Sequence, residues 1–175
     1  MLFYYIRILK TLTAKKLGNM FLLYLGFYLS RLTKRPVLLG KPAVASIEPT
    51  TSCNLRCPQC PSGLRQFTRS TGMLELDGYA KMLAELGPQL HSLTLYFQGE
   101  PYLHPNFLQL VKMAKTQRIF TITSTNAHYI TAQTARATIE SGLDKLIISV
   151  DGTDAASYKK YRVGGDFEKV LEGTR

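Results

Sequence analysis

An α/β fold built on parallel strands is what this 175-residue sequence predicts, on three features. Four short runs rich in β-branched and aromatic residues alternate with longer segments of helical period. Gly, Pro, Asn and Asp punctuate the junctions. Strand and helix in alternation at this spacing make βαβ units, whose parallel sheet needs either both faces covered or closure into a barrel.

Taken in order, the chain opens with a leader, residues 1–41, read as helices. Residues 1–16, "MLFYYIRILKTLTAKK", mix aromatics with cations, and residues 17–30, "LGNMFLLYLGFYLS", form a mostly apolar run between Lys16 and Arg31. That run falls short of the ~18 apolar residues a spanning helix needs. Three readings remain for it. It is a pair of helices packed on the domain, an interfacial anchor lying on anionic lipid through residues 1–35, or a signal segment. The last lacks a small-x-small cleavage site. "TKRPVLLGKP" then breaks the helical pattern and reads as a linker.

The strands are predicted at residues 43–48, 92–97, 119–124 and 145–151. The crossover helices are predicted over 74–87, with Asp77 at its start and Gly87 at its stop; over 106–117, with Asn106 as N-cap; and over 131–143, with Gly142 just past its end. A fourth helix opens after Gly164-Gly165 and reaches the last residue. No strand follows it, so residues 42–175 read as a core domain cut short, the N-terminal part of a longer enzyme or a truncated product.

The net charge of +10 is uneven. Residues 1–41 hold eight Lys or Arg and no acid, leaving the other 134 residues with a balance of only +2. A nucleic-acid footprint needs a basic face on the folded body, so no nucleic-acid partner is expected. All three cysteines, Cys53, Cys57 and Cys60, lie within eight residues. An odd, clustered set does not make a secreted disulfide framework, and free adjacent thiols point to a reducing, cytoplasmic compartment, with membrane association through the leader as the variant.

The spacing C-x3-C-x2-C follows directly on the first predicted strand, and ligands of parallel α/β folds gather outside the carboxyl ends of strands. Three soft thiolates suit zinc or an iron–sulfur cluster. Structural zinc wants four protein ligands, and the loop offers neither a His nor a fourth Cys. Three thiolates fit a cubane with one iron left open. A thioredoxin-like pair at Cys57 and Cys60 would leave Cys53 idle, and "PSGLRQFTRSTG" stands where such a pair's helix should follow.

Beyond the cysteines, "YFQGEPYLHPNF", "TSTNAHYIT" and "IISVDGTDAASYKKYRVGGDFEKVLEG" each sit at a strand end. With the cysteine loop they resemble, in order, the motifs of the radical S-adenosylmethionine superfamily: the glycine-rich GGEP stretch, the TNG-type segment, and the Ser-(Leu/Ile/Val)-Asp-(Gly/Ala) segment. The nearest subgroup by resemblance carries a C-terminal SPASM or twitch extension, which this sequence does not include. The resemblance implies a partial (β/α) barrel, the first four βα units of a (β/α)6 core, and a 4Fe-4S cluster on Cys53, Cys57 and Cys60. It further implies S-adenosylmethionine bound by Gly99, Glu100, Ser124, Asn126 and Ser149, with Asp151 beside them. Reductive cleavage to a 5′-deoxyadenosyl radical would follow, with an external flavodoxin- or ferredoxin-like donor and a substrate, peptide or small molecule, that the sequence does not identify. The alternative is an inactive cluster-binding or membrane-associated fragment. Three positions depart from the family pattern: Gln59 stands where an aromatic is usual, and Gln98 and Ala127 stand where glycines are.

The remaining candidates are read blandly. His104 is expected to be packed or hydrogen-bonded, and His91 and His128 to lie on the surface or in loops. Tyr158, Lys159, Lys160, Tyr161 and Arg162 are expected on a solvated helix face, with binding of a substrate phosphate as the alternative.

Overall fold

The computed structural model describes residues 2–175. Two helices, α1 (Leu2–Thr11) and α2 (Ala14–Thr33), precede the first strand, β1 (Val44–Ser46). Then follow α3 (Pro61–Leu64), α4 (Leu76–Leu86), β2 (Ser92–Thr94), α5 (Phe107–Thr116), β3 (Phe120–Thr125), α6 (Ala132–Glu140), β4 (Lys145–Ile148), α7 (Ala155–Tyr161) and α8 (Phe167–Thr174). Among the described residues the strands form one sheet in the order β1-β2-β3-β4, every neighbouring pair parallel. Right-handed crossovers are the rule for βαβ units, so a sheet whose order follows the chain carries its helices on one face. The other face is left to curve inward, as in a barrel wall. Against the helical face Leu93, Leu95, Leu110, Val111 and Ile119 are fully buried.

β1, β2 and β4 end sooner than the periodicity predicts, while β3 runs one residue further, to Thr125. Ile47 N–H still donates to Thr94 O at 2.8 Å, but the Glu48 carboxylate accepts from Gln98 N–H (3.0 Å) and pairs with Arg69 (2.7 Å). Side-chain bonds replace the ladder there, and the chain peels into loops. The helix starts also shift. Glu75 rather than Asp77 holds the N-cap position of α4, and Asn106 makes no side-chain cap, its N–H donating instead to His104 Nδ1 (3.1 Å). Gly142 adopts φ +80°, the left-handed conformation expected just past a helix. α3 answers to no predicted helix, whereas α7 is the helix implied by the face expected around residue 160. The single turn α3 follows Cys60 with Pro61 at its start, and α7 is opened by a reciprocal cap between Asp154 and Ser157.

The leader is fastened to the sheet at the amino ends of the strands. Arg7 Nη1 donates to Leu143 O (3.2 Å) and Asp144 O (3.1 Å), just ahead of β4. Lys16, only 1% exposed, donates through Nζ to Gln117 O (3.2 Å) and Arg118 O (2.5 Å), the carbonyls that close α5. A cation suits a helix carboxyl end, where about half a negative charge accumulates. Asn19 exchanges two bonds with the Lys41 backbone (2.8 and 2.9 Å), which brings the linker back along α2. No helix among the described residues is long and apolar enough to cross a membrane.

Burial, with Lys115 and Arg118 nearby, lowers the Lys16 ammonium from 10.5 to about 8. Between those values the unfolded chain keeps the proton and the folded chain has released it, so the stability contributed by Lys16 rises with pH across that window. The stability difference between the natural chain and Lys16→Met, measured by urea unfolding, is expected to widen from pH ~8 to pH ~10. A difference that stays flat or narrows would refute this.

Candidate functional site

The loop leaving β1 carries the three cysteines. Thr50 bridges Met73, and Thr51 N–H donates to Gly72 O at 3.1 Å, pinning the loop's first turn. Cys60 N–H bonds back to Cys57 O (3.2 Å), and α3 then folds over that turn. It can do so because Gly63 has no side chain: a Cβ there would lie 2.5 Å from both Cys57 N and Cys57 O. Cys57 is buried and Cys53 and Cys60 are half-buried. All three line a cavity of about 210 Å³, together with Gly99, Glu100, Ser124, Asn126 and Ser149. The structure thus brings the predicted site residues to one place, at the carboxyl ends of all four strands.

After β2, Gly99 has φ +77°, and a Cβ on it would stand 2.1 Å from Thr50 O and 2.9 Å from Ser52 O. The backbone that Gly99 approaches this closely is that of the cysteine loop. Gly99 N–H donates to Ser62 Oγ (2.9 Å) and Glu100 N–H to Ser52 O (2.7 Å), so the two loops are sewn together. The Glu100 side chain, 2% exposed, accepts from Thr125 Oγ1 (2.7 Å), Asn126 N–H (2.8 Å) and Tyr102 N–H (3.2 Å). Burial raises its pKa, and these donors pull the other way. Both oxygens are therefore engaged in holding the loop after β3.

On that third loop Ser124 Oγ and Ser149 Oγ lie 3.0 Å apart across the ends of β3 and β4. Asn126 Nδ2 donates to Asn54 Oδ1 (2.8 Å) and sits 3.9 Å from Cys53 Sγ. His128 determines which way this amide points. Asp166 N–H donates to His128 Nε2 (2.8 Å), so the ring proton is on Nδ1, facing Asn126 O and Oδ1 at 3.0 Å each. His128 lies in a loop, as expected, but it is buried, because α8 closes over it. His104 is buried and bonded to Leu74 O (2.9 Å), and His91 is half-buried just before β2. Ala127, at the place of a family glycine, adopts φ +63° with its methyl buried beside Ile130, Tyr158 and Phe167.

The solvated face expected near residue 160 splits in two. Lys159 and Lys160 are exposed, but Tyr158 is fully buried against Phe167, ring centroids 5.5 Å apart. Arg162 turns inward to the cavity, pairs with Asp151 and reaches within 3.8 Å of Cys57 Sγ. Helical period could not foresee this inward turn, because Arg162 follows the end of α7. Two buried atoms on the cavity wall, Gln98 Oε1 and Arg162 Nε, have no protein partner.

Burial raises the Cys53 thiol, helped by the charges of Glu100 and the other two cysteines. Burial also raises Cys57, and Arg162 opposes it. Both remain thiols at neutral pH until a metal displaces their protons. All three thiols line one cavity, a donor set of soft sulfurs that fits an iron–sulfur cluster.

Two substitutions test the stitching of these loops. Gly99→Ala meets both the left-handed backbone and the Thr50 carbonyl, and is expected to lower stability by roughly 2–4 kcal/mol in urea unfolding. Glu100→Gln turns an acceptor for three donors into a partial donor and is expected to lower it by about 1–3 kcal/mol. Unchanged midpoints in both variants would show that the loops are held by something else.

The model of the radical SAM superfamily matches residues 47–175. A GTP 3′,8-cyclase of Lactiplantibacillus plantarum is 31% identical over 126 residues, which is 71% of this chain and 38% of the relative. An AdoMet-dependent heme synthase of Nitratidesulfovibrio vulgaris is 30% identical over 138 residues, 77% of this chain and 37% of the relative. The chain thus spans less than two fifths of the length of these relatives. Among solved structures, native anSMEcpe with bound AdoMet superposes with a TM-score of 0.63 at 24% identity, covering 76% of this chain and 40% of that one. Streptococcus suis SuiB bound to S-adenosylmethionine gives 0.60 at 20% identity, covering 77% and 31%. The partial (β/α) barrel is therefore shared with these enzymes, and this chain belongs to the radical SAM superfamily, whose members cleave S-adenosylmethionine to generate a radical.

Proposed function

We propose that Cys53, Cys57 and Cys60 hold a 4Fe-4S cluster and that the adjoining groove binds S-adenosylmethionine, making this chain the radical-generating part of an enzyme. The observation that carries the reading is the single cavity lined by all three cysteines and by the loops after β2, β3 and β4. Such a cluster, reduced by an external flavodoxin- or ferredoxin-like donor, would supply the one electron needed for reductive cleavage of the sulfonium to methionine and a 5′-deoxyadenosyl radical able to take a substrate hydrogen.

The chain's own residues bind and orient. Cys53, Cys57 and Cys60 would hold the cluster, and the cavity wall offers polar atoms for the zwitterionic end of an amino acid. Gln98 Oε1 is an unpartnered acceptor fit for an ammonium, and Arg162 Nε is an unpartnered donor fit for a carboxylate. The Ser124–Ser149 hydroxyl pair can donate or accept, and Asn126 is held ready by His128. Arg162 also favours the thiolate form of Cys57. Likeness to the SPASM or twitch subgroup is part of this proposal as the source of substrate choice in the whole enzyme; the substrate itself, peptide or small molecule, is left unassigned.

Anaerobic reconstitution is expected to load about four irons and four sulfides per chain, and Ala at any one of the three cysteines to abolish loading. With reductant and S-adenosylmethionine, 5′-deoxyadenosine should accumulate. A full cluster without 5′-deoxyadenosine would favour the inactive cluster-binding fragment. Stoichiometric zinc unaffected by Cys53→Ala would overturn the cluster assignment altogether.

A further inference from the structure

The amphipathic pattern of α2 is inverted. The side turned to the protein carries Lys16, Asn19, Gly26 and Ser30, buried or half-buried, with the half-buried Leu23 between them and the half-buried Met20 and Leu29 at its borders. The opposite side carries Leu17, Phe21, Tyr24, Leu25, Tyr28 and Leu32, all exposed, Phe21 by 66% and Leu32 by 80%. At 3.6 residues per turn those six fall within about 100° of arc, diametrically opposite the buried set. A helix in water buries its apolar stripe against the core; here Lys16 and Asn19 fasten the helix to the protein, and most of its apolar side chains face out. Leu9 on α1 and Leu38 in the linker are exposed as well.

Charge chooses the occupant of this face. No acid precedes Glu48. Of the cations, Arg7 and Lys16 are bonded to strand-end carbonyls. Lys10 and Lys15 stand exposed at one end of the stripe, and Arg31, Lys34 and Arg35 at the other. Arg31 lies over the Phe27 ring at 5.8 Å, its charge at the border of the aromatic surface. Apolar and aromatic residues bracketed by cations match the boundary between acyl chains and anionic headgroups. A second copy of the leader would set cations against cations with no acid on either side. We infer that α2 lies on an anionic lipid surface, its Leu17–Leu32 stripe in the acyl boundary and its flanking cations among the headgroups. The leader is fastened at the amino ends of the strands and the cavity opens at their carboxyl ends, so docking leaves the site uncovered.

The test is flotation of the full 175-residue chain with phosphatidylglycerol-containing vesicles and with phosphatidylcholine vesicles, at low and high salt. Binding is expected on the anionic vesicles only, falling ~tenfold or more from 0.1 to 1 M salt as the Debye length shrinks. Phe21→Glu with Leu25→Glu, both on the exposed side, should abolish flotation while the urea midpoint and iron loading stay unchanged. Lys34→Glu with Arg35→Glu should weaken binding to the anionic vesicles by a similar factor. Three results would overturn the inference: no flotation on anionic vesicles, equal flotation on both kinds, or a dimer in vesicle-free buffer that Phe21→Glu dissolves. None of these three bears on iron loading, so the cluster assignment stands or falls separately.

Discussion

A buried carboxylate holds the business end of this molecule together. Glu100 leaves β2 with its backbone N–H on Ser52 of the cysteine loop and its side chain on Thr125 and Asn126 of the loop after β3. Three of the four strand-end loops therefore meet at one residue. A carboxylate buried to 2% exposure is tolerable only where donors compensate the lost water, and here the compensating donors are the loops themselves. The interaction that keeps Glu100 buried is the one that places Asn126 beside Cys53.

Close backbone approach completes the arrangement. Gly99 and Gly63 let the second loop and α3 come against the cysteine turn at distances no side chain would allow. Asn126 is then oriented by His128, which is in turn oriented by Asp166 at the head of α8. The site is thus supported from behind by an element that contributes nothing to the cavity wall. Arg162 arrives from the same side, between Asp151 and Cys57.

The opposite end of the sheet follows a different logic. Backbone carbonyls at the ends of α5 and at the start of β4 need donors, and the leader supplies them from Lys16 and Arg7. The leader is thereby packed on the domain, and the opposite side of α2 is exposed.

By itself the sequence determined the alternation of strand and helix, the parallel order and the location of the thiol loop. Each is written in short-range spacing: period 2 against period 3.6, and three cysteines on one stretch. The residues gathered around the cavity were singled out by their resemblance to the family's motifs, and they meet because parallel strands end on one side. What only the tertiary structure decided are relations between residues far apart in the chain. Glu100 as a clamp, His128 as the support of Asn126, Arg162 turned inward while Lys159 and Lys160 face out, and the apolar side of α2 left uncovered all depend on which element lies over which. Local propensity carries no information on that, since hydrogen-bond partners and burial are properties of the packed chain.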